Sequence, residues 1–187
     1  MVKLADKLRH IAPKSIVLIE VRAAENPMQV LADFLSFKGS DKGILISSNR
    51  STKNLVEQLD TRGFDLRTPL ETDRICVIDL VSKSFGASES KGSIDVASPC
   101  ELSATQMAFE KAVEGLNSDA RNPWLLIDSL STLLVYNSSG ALLHFLHFLI
   151  GRLRVLGFDG AIFVVEGSIE GSVLSTIRQF CDEVIQL

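Results

Sequence analysis

The chain is 187 residues long, with 46% hydrophobic and 22% charged residues and a formal net charge of −4. That length is one domain's worth and is enough to bury a full core. The acidic balance argues against a general nucleic-acid surface, which needs a dense positive field. The three cysteines, Cys76, Cys100 and Cys181, are widely spaced with no CxxC. They read as reduced thiols of a cytoplasmic protein, not as a disulfide framework. The richest apolar stretch, residues 142–156, is interrupted by His144, His147, Gly151, Arg152 and Arg154, so no signal peptide or membrane span is expected.

In chain order, residues 2–11 read as a short amphipathic helix suited to covering a sheet edge. The β-branched run Ile16, Val17, Ile19 and Val21 marks a buried strand over 15–21. Asn26-Pro27 then opens a helix over 27–38, with Asn as N-cap and Pro at the first helical position. A strand follows at 43–48, and a helix at 51–62 that Ser51 caps and Gly63 stops. Residues 74–81 form the next strand, with Cys76 as a small core residue. Residues 82–100, rich in Ser and Gly, break the rhythm. A loop of that length is either a mobile excursion or a functional flap for a partner or ligand. Beyond it come a helix at 102–116, a strand at 124–128 and a long helix at 139–156 closed by Gly157. A strand at 160–165, a helix at 170–181 and a strand at 183–187 complete the chain. The strands are continuous apolar runs, as expected when helices cover both faces. Strict strand–helix alternation predicts one α/β domain over residues 1–187, with a doubly wound, mostly parallel sheet.

Residues 124–134, Trp-Leu-Leu-Ile-Asp-Ser-Leu-Ser-Thr-Leu-Leu, resemble the Walker B strand and following turn of the RecA/KaiC-like ATPase superfamily. The order and spacing of the βα units from about Pro13 to Leu187 are similar to that family too. The resemblance implies the RecA-like P-loop fold, with strand order 3-2-4-5-1-6. It also implies assembly into rings or dimers, and a nucleotide site beyond the C-terminal ends of the strands. The chain stops at a sixth strand and has a short segment before the first loop, which favours a dimer over a full ring.

Three functions converge at such a site: a phosphate cradle with a lysine, a magnesium-positioning acid, and a carboxylate that activates water. Asp128 matches the Walker B acid and Ser129 follows it. At the second strand end, where the family places acidic residues as catalytic base, this chain has Ser48-Asn49, neither of which is a carboxylate. The motif GxxxxGK[ST] places glycines, lysine and a hydroxyl where Val21, Asn26, Pro27 and Met28 stand. Pro27 lacks an N–H, and Met28 offers magnesium no oxygen. Ala23, Ala24 and Glu25 fill the rest of the loop. Alanine resists the positive φ angles of a phosphate nest. A Glu25–phosphate unit pair at about 4 Å costs roughly 1 to 4 kcal/mol. The loop reads as a degenerate Walker A.

The expected site is therefore a vestigial nucleotide pocket of Arg22, Asn26, Ser48, Asn49, Asp128 and Ser129, with no catalytic residue, metal or cofactor. Arg22 could reach an anion over the sheet edge, but an exposed pair with Glu20 or Glu25 is the simpler expectation. For Asp128, a structural role capping the turn 129–131 competes with metal ligation. His144 and His147 form an HxxH, yet they align with Gly151 and Arg154 as the polar stripe of an apolar helix. No GxSxG elbow points to a serine nucleophile.

The function expected is that of a KaiC-like pseudo-ATPase, a non-enzymatic regulatory or scaffolding protein. Its protein partner, an active family member among the candidates, would meet the 82–100 loop and the long helix, and a homodimer is expected. The alternatives are a nucleotide binder with an unusual site on Arg22, Asn26 and Asp128, and a DNA-associated recombinase relative.

Overall fold

A computed structural model describes residues 4–86, 90–116 and 121–187. The first strand, β1 (Ile16–Val21), is buried along its whole length. Its side chains alternate between two apolar layers: Ile16 and Leu18 point to one, and Val17, Ile19 and Val21 to the other. Before it lies α1 (Leu4–Leu8), and after it α2 (Pro27–Lys38), β2 (Gly43–Ser47) and α3 (Thr52–Asp60). Next come α4 (Arg67–Glu71), β3 (Ile75–Asp79), a 3₁₀ turn at Lys83–Phe85, β4 (Ser93–Asp95) and α5 (Leu102–Gly115). The chain continues through β5 (Trp124–Asp128), α6 (Leu130–Tyr136), α7 (Ser139–Leu156), β6 (Asp159–Val165), α8 (Gly171–Phe180) and β7 (Glu183–Gln186).

Among the described residues the seven strands form one sheet in the order β4-β3-β2-β5-β6-β1-β7. Every pairing is parallel. The six strands read from the sequence lie in the expected relative order, and β4 adds a further strand at one edge. One apolar layer carries α5, α6, α7 and α8, and the other carries α1, α2, α3 and α4. This is the doubly wound α/β architecture that continuous apolar strands require, because each sheet face needs its own helical cover.

Three differences from the sequence reading have identifiable causes. The 82–100 stretch is not wholly an excursion, since β4 pairs with β3 in the register Val77↔Ser93, Ile78↔Ile94 and Asp79↔Asp95. Ser-Ile-Asp holds one apolar residue and has no periodicity to detect, so only the open edge of β3 makes it a strand. Residues 87–89 of that stretch lie outside the described residues. The short helices α4 and α6 were also missed; each is held by two buried side chains, Pro69 and Leu70 in one and Leu130 and Leu133 in the other. Five and seven residues are too few for a 3.6-residue period to emerge. Helix α7 is long and apolar enough by composition to cross a membrane, but Leu142, Phe145, Leu146, Leu149, Ile150 and Leu153 are buried in the core.

An aromatic cluster packs under α2. Phe34 meets Trp124 edge-to-face at 5.7 Å and Phe163 at 6.0 Å, all three being fully buried. The indole lies over Gly43 on the neighbouring strand, where an added Cβ would sit 1.9 to 2.4 Å from ring atoms. Gly43 is thus required by close approach, not by backbone conformation. Gly43→Ala must displace Trp124 and should destabilise the protein by about 3 kcal/mol. Urea denaturation would show this as a lower midpoint with unchanged slope; an unchanged midpoint would contradict the packing.

Candidate functional site

Polar side chains gather at the C-terminal ends of the strands, starting with the β1–α2 turn. Arg22 Nη2 lies 3.3 Å from Glu25 Oε1, the pairing expected of an exposed arginine. Glu20 is engaged elsewhere: it is buried, and its carboxylate accepts from Arg178 Nε at 2.8 Å, Arg178 Nη2 at 3.0 Å and Gln186 Nε2 at 3.2 Å. Asn26 caps α2, its Oδ1 accepting from the N–H groups of Met28 at 3.0 Å and Gln29 at 3.3 Å. The Val30 N–H bonds to Asn26 O, and the Glu25 N–H bonds to Arg22 O. Since Pro27 has no N–H, the donors that a helix N-terminus offers to an anion are consumed inside the turn.

At the next strand ends, Ser48 joins β2 to β5. Its N–H donates to Asp128 O at 2.9 Å, its hydroxyl donates to Ser129 O at 2.9 Å, and the same oxygen accepts from Ser129 N at 3.1 Å. Asn49 is exposed. The structure thus brings Ser48, Asp128 and Ser129 together. Arg22 and Asn26 stand apart from them, because β6 separates β5 from β1. Two strand spacings amount to roughly 10 Å.

Asp128 is 3% exposed. Burial pushes its carboxyl up to about 6, and the nearby Arg50 guanidinium offsets only part of that rise. Arg50 Nη1 lies 3.9 Å from Asp128 Oδ2, too far for a hydrogen bond, and neither buried atom has a hydrogen-bond partner among the described residues. The expected capping of residues 129–131 by Asp128 is not what the chain adopts. Ser129 N bonds to Ser48, and the Ser129 hydroxyl meets Thr132 Oγ1 at 3.2 Å as α6 begins. A turn cap was a reasonable expectation for Asp before Ser-Leu-Ser, but Ser48 from another strand occupies that role.

Two residues of this edge escaped the sequence reading. Arg50 follows β2 and becomes Asp128's neighbour only because β2 and β5 are adjacent. Asp79, at the end of β3, is fully buried. Its Oδ2 accepts from Thr52 N at 2.6 Å, Thr52 Oγ1 at 2.8 Å and Ser82 Oγ at 2.8 Å, while Oδ1 accepts from Ser82 N at 2.8 Å and Val81 N at 2.9 Å. Burial would raise its pKa, but the backbone donors of Ser82, Thr52 and Val81 outweigh burial and hold the carboxyl below its ordinary range. Asp79 therefore fixes both the start of α3 and the chain leaving β3. The available signal was an acid ending an apolar strand, the same pattern as Asp128.

The HxxH residues do not converge. His147 packs edge-to-face on Phe180 at 5.5 Å, and no group of three His, Cys, Asp or Glu side chains among the described residues is placed to hold a metal.

The sheet order, with Asp128 ending the strand two places from β1, defines a RecA/KaiC-like α/β fold. The structure is similar to a KaiC-like protein from the hyperthermophilic archaeon Pyrococcus horikoshii OT3, with a TM-score of 0.72 and 15% identity over 95% of this chain and 74% of that one. It is also similar to an uncharacterized Pyrococcus horikoshii protein solved in complex with an unknown peptide, with a TM-score of 0.71 and 18% identity over 98% of this chain and 81% of that one. At these identities the likeness is one of fold. Residues 18–187 match a family of unknown function, DUF7504, and the chain belongs to that family. No curated protein matches the chain.

The Asp128 environment carries a pH signature. A carboxyl raised from 3.8 to about 6 on folding adds stability that is complete below the unfolded value and is lost as pH rises through about 6. Relative to wild type, Asp128→Asn should gain stability on the order of 3 kcal/mol between pH 3.5 and 7.5. Parallel denaturation curves at several pH values would show it. A difference independent of pH would mean that Asp128 is not desolvated as described.

Proposed function

We propose that this chain is a non-catalytic member of the RecA/KaiC-like fold class that acts through protein contacts. The observation that carries this reading is the closed start of α2. Asn26 Oδ1 occupies the Met28 and Gln29 N–H groups, where a phosphate would need free donors. The residues present do not fit a magnesium triphosphate. The turn has neither lysine nor magnesium-binding hydroxyl, and Glu25 and Arg22 compensate each other there. A Walker A loop that has lost its chemistry explains these features together. At Asp128, Arg50 supplies within the chain positive charge of the kind a metal would otherwise bring. Ser48, standing where the family's base is expected, is committed to bonding β5.

A contact surface is available on the helices away from this edge. Met107 on α5 is 74% exposed, and Phe148 and Val155 on α7 are 45% and 79% exposed. The two helices are joined by a bidentate pair between Arg152 and Glu110, both bonds 2.7 Å. Large apolar side chains on adjoining helices favour a protein interface, and we assign this one to a homodimer. A protein of the same fold has been solved with an unknown peptide, so the fold is compatible with polypeptide ligands.

Two measurements test the reading. Titration calorimetry with ATP and ADP, with and without magnesium, should give no saturable heat at micromolar ligand; micromolar binding abolished by Asp128→Ala would instead favour an unusual working nucleotide site. Sedimentation velocity should show a dimer that Phe148→Glu converts to monomer. A wild-type protein that stays monomeric at high concentration removes the dimer.

A further inference from the structure

At the opposite end of the sheet, where β1 and β6 begin, a cavity of about 240 Å³ lies beneath α1 and the segment that follows it. Leu8, Val17, Phe34, Phe37 and Ala161 form the apolar part of its wall, and Ser15, Asp41 and Asn122 line the rest. Lys38 and Asp159 also line it, and they are paired with each other. Lys38 is 10% exposed, and its Nζ lies 2.6 Å from Asp159 Oδ2 and 5.9 Å from the ring centroids of both Phe34 and Phe37. The other Asp159 oxygen accepts from Lys14 N at 2.6 Å. Each Asp159 oxygen thus already accepts one hydrogen bond, whereas Lys38 has three donors and Asp159 is the one acceptor bonded to it among the described residues.

We propose that this cavity binds a small neutral amphiphile: a single ring or branched chain bearing one hydroxyl or carbonyl oxygen that accepts from Lys38. The volume exceeds the ~150 Å³ apolar cavity known to admit benzene. The walls reward an apolar body, and the aromatic faces beside Lys38 suit a ring. The oxygen must be uncharged. Asp159 already neutralises Lys38, so an anion would meet a carboxylate at the same ammonium and be repelled. The site is remote from the α2 start and Asp128, and it does not depend on whether those residues bind nucleotide.

The test is titration of the full chain with benzyl alcohol and with toluene, followed by amide chemical shifts. Saturable shifts are expected at Lys38 and residues 159–161, with benzyl alcohol bound more tightly. Lys38→Met should weaken benzyl alcohol about tenfold and leave toluene nearly unchanged. Non-saturating or scattered shifts, equal affinity for the two compounds, or equal loss of both in Lys38→Met would overturn the proposal. Should Lys38→Met fail to fold, Ala12→Phe at the exposed mouth gives an independent arm, since it leaves the ion pair intact. It should abolish benzyl alcohol binding without lowering the melting temperature. Unchanged binding in that variant would equally overturn the site.

Discussion

A parallel strand covered by helices on both faces has no wet side, so its polar side chains are driven to its ends. Here β1, β2 and β5 are buried along their whole lengths, and the sheet's polar chemistry collects at the two rims. Glu20, one residue short of the end of β1, tolerates burial because Arg178 forks onto it and Gln186 adds a third donor. The architecture, the position of every candidate site and the scarcity of alternatives follow from this constraint.

The C-terminal rim carries two buried acids with opposite fates. Asp79 and Asp128 end β3 and β5 and flank the same strand, β2. Five hydrogen bonds hold Asp79 ionised and make it the organiser of the α3 start. Among the described residues Asp128 has no such donors, only Arg50 at 3.9 Å, and burial dominates. One acid is therefore structural, and the other is the rim's electrostatically uncomfortable group. Discomfort of this kind is common at sites that once bound or still bind something. At the β1–α2 turn, Asn26 takes up the Met28 and Gln29 N–H groups that begin α2.

Much of this was legible in the residues. The apolar β-branched runs named six of the strands, since no other pattern buries both faces of a sheet. Asn26-Pro27 named the start of α2, because a cap and an N–H-free first position are local chemistry. For Arg22 the residues offered two partners, Glu20 and Glu25, and the structure takes Glu25 because Arg178 holds Glu20. The edge strand β4 was not readable: Ser93–Asp95 has no intrinsic strand pattern and depends on the open side of β3. The short helices α4 and α6, of five and seven residues, hold too few positions to show a period.

The sequence by itself determined the fold class, the helix boundaries set by caps and the identity of the residues at the strand ends, because these depend on local pattern and on burial. Only the tertiary structure decided which of those residues meet. It placed Arg50 against Asp128 and Ser48 against Ser129, separated both from Arg22 by a whole strand, and closed Lys38 and Asp159 into a cavity although they lie 121 positions apart. The reason is physical: strand order and helix packing set distances between residues remote in sequence, and no local propensity encodes those distances.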